Sequence, residues 1–312
     1  MSKNWLSSSL GLTGSSQRSL IQTVRPIFER FASDCGVNYS MVPFSKEFYD
    51  ACCEDGRRRD IPVDSLLPYI HVGSCLINMA YGYLPDQSTQ TFLALYTALL
   101  VYVDDAFFDD IDAIRYFHKR FITGQPQATP ALDSLVKLLQ EVPEHYDDLA
   151  ANIILTSSLN FITAPVFDYD LKSTTIPPRA NKFVYFSRLL SGAAEAFALF
   201  IFPRGIPFQA YAYALPELMV FASGCNDVLS FYKEEAVGEM ANFVSHIAGC
   251  NQVNKIVALQ ALANDNAAAI NLAANLLKGS DKAAHDTMKT WLQGYINFHF
   301  SCGRYKLHEL FP

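Results

Sequence analysis

The sequence predicts an all-α protein. Apolar residues recur every three or four positions over long stretches, which is the spacing of one helix face, and the first such stretch begins at Leu20. No convincing run of alternating apolar and polar residues, the pattern of a half-buried strand, is present. Proline or glycine stands at most junctions between the helical stretches, as at Pro85, Pro130 and Gly279. We therefore expect a helical bundle without a sheet.

The helices can be placed in order along the chain. Small and polar residues near the N-terminus predict a mobile arm over residues 1–18, and residues 19–312 are expected to form a single domain. The run from Arg57 to Asp60 follows a glycine and is interpreted as a solvated loop, with a diphosphate contact as the alternative. After the first helix, the predicted helices span residues 64–83, 88–107, 113–122, 131–139, 146–162, 180–202, 210–235, 240–248, 252–278 and 282–302.

The composition of the chain indicates which binding partners and which cellular environment to expect. The 312 residues carry a net charge of −7 and a pI near 5.5, which disfavours nucleic acid and anionic membrane surfaces as partners. The apolar stretch from Phe92 to Val103 has 12 residues, fewer than the roughly 20 needed to cross a bilayer. The seven cysteines are odd in number and scattered, without a Cys-x-x-Cys pair. We expect a cytosolic protein with reduced thiols and no membrane insertion.

Two acidic signatures stand at the ends of long apolar helical stretches. One runs from Asp104 to Asp110 and the other from Asn226 to Glu235. Carboxylates set this far into apolar sequence are unfavourable unless a cation compensates them. Clustered hard oxygen ligands of this kind suit Mg²⁺. The first hypothesis is therefore a metal cluster that holds a phosphorylated substrate.

The second signature has the spacing of a ligand set. On a helix, positions i, i+4 and i+8 drift by only about 40° per step, so Asn226, Ser230 and Glu234 project from one face. One amide, one hydroxyl and one carboxylate can chelate a single ion. In the first signature Asp104 and Asp105 point in different directions, so we expect only one of them, Asp104, to ligate the metal.

These motifs resemble those of class I terpene cyclases, and the chain looks most like the fungal trichodiene synthase family. Asp104 to Asp109 matches the aspartate-rich motif in the variant form D-D-x-x-x-D. Asn226 to Glu234 matches the pattern N-D-x-x-S-x-x-K-E. The match extends from about residue 60 to the end of the chain.

Two further stretches carry the resemblance. Arg188 lies 38 residues before Asn226, and Arg304 and Tyr305 follow a break at Gly303. In the family the corresponding first arginine senses the diphosphate of the substrate, and the arginine-tyrosine pair hydrogen-bonds it. The resemblance therefore implies diphosphate contacts from Arg188, Arg304 and Tyr305, and also from Lys233.

The resemblance implies a single helical bundle with a central active-site cavity and a sesquiterpene cyclase activity. A cluster of Mg²⁺ ions, three in the family, would hold farnesyl diphosphate while its diphosphate departs. Asp104, Asp105, Arg304 and Tyr305 are the expected catalytic residues. The allylic cation that remains would then cyclise, and either deprotonation or water capture would end the reaction.

Two departures from the family pattern bear on chemistry. The aspartate-rich motif has three residues before its last aspartate where the family has two, so the role of Asp109 stays open. Phe298 stands where the family carries tryptophan. We therefore expect a product other than trichodiene.

Aromatic rings are the expected lining of the cavity, because a ring face stabilises a cation that has no other counter-charge. Phe107 and Phe298 are the first candidates, since they flank the metal motif and the arginine-tyrosine segment. Tyr81, Tyr96 and Tyr295 come next.

Two other functional classes remain as alternatives. A chain-elongating isoprenyl diphosphate synthase would also be helical and Mg²⁺-dependent, but it should carry a second D-D-x-x-D motif, which the sequence lacks. A non-catalytic helical isoprenoid-binding or scaffold protein would not need intact metal ligands. A homodimer is compatible with each reading. The pair Asp147 and Asp148 lacks a third acid at ligand spacing and is interpreted as a solvated helix start.

Overall fold

Helices joined by short connections make up the described chain. The structure is a computed structural model that describes residues 14–107, 110–239 and 241–311. Within those residues no strand is present, which confirms the predicted all-α class. The helices are α1 (Gly14–Asp34), α2 (Lys46–Arg58), α3 (Val63–Leu76), α4 (Gln87–Ala106), α5 (Ile111–Arg115), α6 (Phe117–Thr123), α7 (Pro130–His145), α8 (Asp148–Leu171), α9 (Asn181–Ser191), α10 (Ala194–Leu199), α11 (Leu215–Ala236), α12 (Phe243–Asn251), α13 (Lys255–Ser280) and α14 (Lys282–Ser301).

The described helices pack into two compact units. The first unit contains residues 44–174 and 190–205, and the second contains residues 14–43, 175–189 and 206–311. The aspartate-rich motif belongs to the first unit, and the Asn226 motif belongs to the second. The prediction of a single domain over residues 19–312, with a central cavity, stays a prediction.

In the first unit, helices α3 and α4 approach each other very closely. Gly73 lies at their contact, where a Cβ atom would come within 2.2 Å of the carbonyl oxygen of Ala94. Helix α4 is buried around most of its circumference, and Phe92 and Leu99 are among its core residues. This buried helix carries Asp104 and Asp105 in its last turn.

Two of the predicted cavity tyrosines lie in the core of the first unit. The hydroxyl of Tyr81 donates to the carbonyl oxygen of Phe197 at 2.9 Å. Tyr96 and Ser158 share a buried hydrogen bond of 2.7 Å between their hydroxyl groups. Both tyrosines are fully buried, so each hydroxyl has the partner that burial requires.

In the second unit, α11 packs along α13 and is flanked by α1 and α14. Gly224 of α11 faces Asn266 of α13, and a Cβ atom at Gly224 would lie 2.2 Å from the Asn266 amide nitrogen. Phe31 of α1 stacks on Phe221 of α11. After α14, the 3-10 turn Gly303–Tyr305 returns to α11 and brings Tyr305 close to its polar face.

The predicted N-terminal arm overlaps the first helix. Helix α1 begins at Gly14, so residues 14–18 are helical; the remainder of the predicted arm lies outside the described residues, and its mobility stays a prediction. Within this first turn Gln17 donates to Glu309 at 3.0 Å and to the hydroxyl of Tyr232 at 3.1 Å. These polar contacts connect segments far apart in sequence, which periodicity does not reveal.

The interpretation of the arginine run as a solvated loop was wrong. Arg57 and Arg58 complete α2, a helix that the sequence analysis did not place. Arg59 ends it and is only 21% exposed, because its guanidinium pairs with Asp55 at 2.9 Å and also with Glu141. The three residues differ in environment because only one of them points toward α7.

The predicted helix over residues 180–202 is interrupted. Helix α9 ends at Ser191 and α10 begins at Ala194. Ala193 between them has φ +44°, in the left-handed region, which no continuous α-helix contains. The apolar pattern runs through the break and so hides it.

Two whole-chain expectations can be compared with the structure. Helix α8 is the one helix in the described ranges that is long and apolar enough to cross a membrane, and 39% of its apolar stretch is buried inside the protein. Core helices pass the same test, so one such helix is weak evidence for a membrane span. Ser157 of α8 donates to Glu195 at 2.7 Å, a polar contact within the first unit. All seven cysteines are buried free thiols in this structure.

Candidate active site

Helix α4 ends in carboxylates. Asp104 and Asp105 lie in its last turn, and Asp105 is only 9% exposed. The C-terminal end of a helix carries partial negative charge, so acidic side chains there are unfavourable unless a cation compensates them. Phe107, which ends the helix, is buried against Tyr102 with ring centroids 5.3 Å apart. Asp109 of the same motif lies outside the described residues.

Helix α11 carries the second predicted ligand set on its polar face. Asn226, Ser230 and Glu234 all belong to one unbroken helix, so their side chains recur at intervals of about 6 Å along it. Ser230 is 2% exposed, and the Glu234 side chain is 14% exposed. The donor set of amide, hydroxyl and carboxylate oxygens fits Mg²⁺.

The amide of Asn226 is held from one side. Its Nδ2 donates to the Tyr305 hydroxyl at 3.0 Å and lies 3.3 Å from Nε2 of His299. Nδ1 of His299 lies 2.8 Å from the carbonyl oxygen of Tyr295, which can only accept, so Nδ1 carries the hydrogen. Burial lowers the pKa of His299 to about 4, which leaves the imidazole neutral near pH 7.

Arg188 forms an ion pair in this structure. Its Nε donates to both carboxylate oxygens of Asp227, at 2.8 and 3.0 Å, and its terminal nitrogen donates to the Ser223 carbonyl at 3.2 Å. Burial raises the pKa of Asp227, and the neighbouring guanidinium opposes that rise. The ion pair with Asp227 is thus present, and the diphosphate contact expected of Arg188 stays a prediction.

Further cationic and aromatic side chains surround the polar face of α11. Nζ of Lys233 lies 3.6 Å from Glu234 and 5.7 Å from the ring centre of Tyr305. Arg304 is half-buried in the 3-10 turn that also contains Tyr305. The cation of Lys233 therefore lies beside Glu234, one of the predicted oxygen ligands.

The aromatic candidates of the second unit lie next to this polar face. Phe298 is buried and meets Tyr305 edge to face, with centroids 5.4 Å apart. Tyr295 stacks on Trp291 at 5.0 Å and donates its hydroxyl hydrogen to the Ala222 carbonyl at 2.8 Å. Their roles in a substrate pocket stay predictions, as do those of Phe107, Tyr81 and Tyr96 in the first unit.

A small network of hydrogen bonds connects the C-terminal segment to α11. The hydroxyl of Tyr232 donates to Glu309 at 2.5 Å, and Gln17 of α1 contacts both groups. Burial raises the pKa of Tyr232 to about 12, so this hydroxyl keeps its hydrogen. The network holds the stretch that follows Arg304 and Tyr305.

Sequence reasoning passed over two residues, His299 and Asp227. His299 is a polar residue in a largely apolar buried run six residues before Tyr305, and that position was the available signal. Asp227 belongs to the N-D-x-x-S-x-x-K-E pattern but received no role there, whereas it pairs with Arg188. Across the described ranges, no three His, Cys, Asp or Glu side chains form a metal-binding group, so the α11 set depends on its amide and hydroxyl oxygens.

Known proteins are similar to the part of the chain that contains these residues. Residues 69–312 match the family model of trichodiene synthase (TRI5). An alpha-cuprenene synthase of Coprinopsis cinerea is 30% identical over 293 residues, covering 92% of this chain and 90% of that protein. Monoterpene synthase 25 of Postia placenta is 32% identical over 251 residues, covering 79% of this chain and 75% of that protein.

A solved structure supports the same fold. The linalool/nerolidol synthase of Streptomyces clavuligerus, in complex with 2-fluorogeranyl diphosphate, superimposes with a TM-score of 0.63 at 13% identity. The alignment covers 84% of this chain and 95% of that one. At this identity the likeness concerns the helical fold alone.

Proposed function

The chain belongs to the trichodiene synthase family, and from that premise we propose that it is a class I terpene cyclase acting on farnesyl diphosphate. The observation that carries the proposal is the polar face of α11. There Asn226, Ser230 and Glu234 supply oxygen ligands, while Arg188 and Lys233 supply positive charge. The anionic head of the substrate needs both the metal that these ligands would hold and the positive charge of the side chains.

The residues fit a divalent cation, and we propose Mg²⁺. In the second unit, Asn226, Ser230 and Glu234 are the proposed metal ligands. In the first unit, Asp104 is a proposed metal ligand and Asp105 a further catalytic carboxylate. When bound, the metal cluster, of three ions by the family resemblance, neutralises the diphosphate so that it becomes a better leaving group.

The cationic side chains of the second unit would bind the departing diphosphate. Lys233, Arg304 and Arg188 can each donate charge-assisted hydrogen bonds to phosphate oxygens. The Tyr305 hydroxyl accepts a hydrogen bond from Asn226, which leaves its own hydrogen for a further acceptor such as diphosphate. Arg188 holds Asp227 with Nε and the Ser223 carbonyl with a terminal nitrogen, and its contact with the diphosphate is proposed from the family resemblance.

The aromatic side chains would handle the carbocation. We propose pocket-lining roles for Phe298 and Tyr295 in the second unit, and for Phe107, Tyr81 and Tyr96 in the first. Their ring faces stabilise positive charge without offering a nucleophile. Exclusion of water is required, because an early water would trap an acyclic alcohol.

Substrate length is the main competing question within this function. A monoterpene synthase among the relatives favours geranyl diphosphate as a second candidate substrate. The motif resemblance favours farnesyl diphosphate. A homodimer and a cytosolic location remain predictions that neither substrate requires.

Product analysis distinguishes the candidates. The purified protein is incubated separately with farnesyl and geranyl diphosphate in the presence of Mg²⁺, and the extracts are examined by gas chromatography with mass spectrometry. We expect cyclic C15 hydrocarbons or alcohols from farnesyl diphosphate, with the larger kcat/KM for that substrate. Longer prenyl diphosphates, formed when isopentenyl diphosphate is added, would instead identify a chain-elongating enzyme. Binding without turnover would identify a scaffold.

A further inference from the structure

We infer that His299 is a positioning residue that, together with Tyr305, holds the side-chain amide of Asn226 so that Oδ1 is presented for metal binding. This inference rests on the proposed function, in which Asn226 is a metal ligand. It assigns to His299 a role in orientation and no contact with the substrate.

An asparagine ligand has an orientation problem. Its side chain is planar and carries one acceptor oxygen and one donor nitrogen, and only the oxygen can bind a cation. A rotation of the amide by 180° would turn two hydrogens toward the metal and repel it. Something must therefore distinguish the two ends of the Asn226 amide.

The structure contains two groups that do so. Nδ2 of Asn226 lies 3.0 Å from the Tyr305 hydroxyl oxygen and 3.3 Å from Nε2 of His299. Both N–H groups of the amide are thereby used, and Oδ1 lies on the other side of the same planar group. Reversing the amide would bring Oδ1 against the lone pair of Nε2.

His299 can accept a hydrogen bond because its other nitrogen is fixed. Nδ1 donates to the Tyr295 carbonyl oxygen at 2.8 Å, which leaves a lone pair on Nε2. The ring is 0% exposed and packs against Tyr295 and Tyr305, with centroid separations of 4.7 and 4.5 Å. A ring enclosed in this way cannot readily turn over and exchange its two nitrogens.

His299 is a cleaner probe of this role than Tyr305. Tyr305 is also proposed to hydrogen-bond the diphosphate, so its removal would weaken two interactions at once. Nε2 of His299 contacts Asn226, and the contact of His299 with Tyr305 is ring packing. Outer hydrogen bonds of this type change metal affinity by about 10–100-fold when removed.

Two substitutions separate the two nitrogens of the imidazole. His299→Asn retains a donor where Nδ1 stands and removes the acceptor at Nε2. His299→Gln places an acceptor oxygen near the position of Nε2. His145→Asn is the matched control, because His145 is also a buried helical histidine, with Thr89 2.9 Å from its Nδ1 and Glu141 3.1 Å from its Nε2.

Calorimetric titration of each full-length protein with MgCl2, in the presence of inorganic diphosphate, measures metal binding without turnover. We expect His299→Asn to weaken Mg²⁺ binding about tenfold. His299→Gln should stay within about threefold of the wild type, and His145→Asn should match it, because neither change removes the hydrogen bond that orients the ligand. In an Asn226→Asp background, whose two oxygens are equivalent, His299→Asn should cost less than about threefold.

Several outcomes would overturn the inference. Wild-type Mg²⁺ affinity in His299→Asn would do so, as would equal losses in His299→Asn and His299→Gln, or the same loss in the Asn226→Asp background. If the wild type itself binds no Mg²⁺ with diphosphate, the proposed metal site fails and the inference falls with it. That failure is visible in the wild-type titration alone.

A second measurement does not depend on a variant that folds. Nitrogen-15 NMR of the histidine rings in the wild-type protein reports which nitrogen carries hydrogen. The expected result for His299 is a hydrogen on Nδ1 and a lone pair on Nε2. A hydrogen on Nε2 would remove the acceptor and contradict the inference.

Discussion

The buried helices α4 and α11 both carry carboxylates near their C-terminal ends, but the two ends differ in how the negative charge is balanced. Along α11, Asp227 pairs with Arg188, Glu234 lies beside Lys233, and Glu235 pairs with Lys255. From Asp104 to Arg115, by contrast, the sequence contains five aspartates and one arginine. That arginine contacts Asp112 and Asp170. The α11 region thus carries its own cations, whereas the sequence from Asp104 to Arg115 contains more acidic than basic residues.

This difference suggests that the two helix ends have different roles in metal binding. A region with balanced charge can hold its side chains in place before any metal arrives, as the contacts of Asn226 indicate. A segment with more acidic than basic residues carries a net negative charge that attracts cations. We propose that α11 provides orientation and that α4 provides attraction, and the following substitutions test that comparison.

The largest effect is expected from removing a carboxylate at either helix end. Asp104→Ala and Glu234→Gln should each reduce kcat/KM at least about 10²-fold, because each removes a main electrostatic contact of the metal-bound substrate. Steady-state kinetics with farnesyl diphosphate measures the loss. Asp147→Ala is the control, since Asp147 is 63% exposed and only begins α8. A loss at Asp147 equal to that at Asp104 would mean that the site has been misplaced.

The internal balance of α11 predicts a stability effect at Asp227. Asp227→Asn leaves the charge of Arg188 without its partner, and both side chains are less than one-fifth exposed. We expect the free energy of unfolding to fall by about 2 kcal/mol, somewhat less than for a fully buried pair. Urea denaturation measures this fall. Adding Arg188→Gln should recover part of it, and a further loss in the double variant would show that the two charges do not balance each other.

The next largest effect is expected from removing one of the cationic side chains proposed to bind the diphosphate. Arg304→Ala should slow consumption of farnesyl diphosphate by about tenfold, the value of one charge-assisted hydrogen bond, while the ratio of products stays the same. The reason is that Arg304 is proposed to contact the leaving group and not the hydrocarbon. A changed product ratio at unaltered rate would assign Arg304 to the pocket wall.

The smallest effect in free energy is expected from the aromatic rings. Phe107→Leu and Phe298→Leu remove a ring face worth roughly 0.5–2 kcal/mol to a nearby cation. Substrate should still be consumed, but we expect a broader mixture with more early-quenched hydrocarbons or alcohols. Gas chromatography of the extracts detects this change. Identical product profiles in both variants would show that these rings serve only as core.

The features that the sequence predicts well are local ones. Helical periodicity indicated the all-α class, and the spacing of Asn226, Ser230 and Glu234 indicated one helix face, which α11 confirms. The break at Ala193 was missed because it depends on one residue with positive φ inside an apolar pattern. Local signals describe the helix but do not detect such a reversal.

The features that escaped prediction depend on contacts distant in sequence. The pairing of Arg188 with Asp227 spans 39 residues, and the contact of His299 with Asn226 spans 73. The environment of Arg59 follows from Glu141, which is 82 residues away. Neither periodicity nor composition encodes which buried polar groups will meet, although each must find a partner once it is buried.

Metal removal and restoration tests the central claim most directly. The protein is freed of divalent cations with a chelator, and release of diphosphate and extractable product from radiolabelled farnesyl diphosphate are then followed together. We predict that both stop without metal and that both return in equal amounts when Mg²⁺ is added, because the diphosphate cannot depart without neutralisation. Full turnover in excess chelator would contradict the assignment of the α4 and α11 side chains as metal ligands.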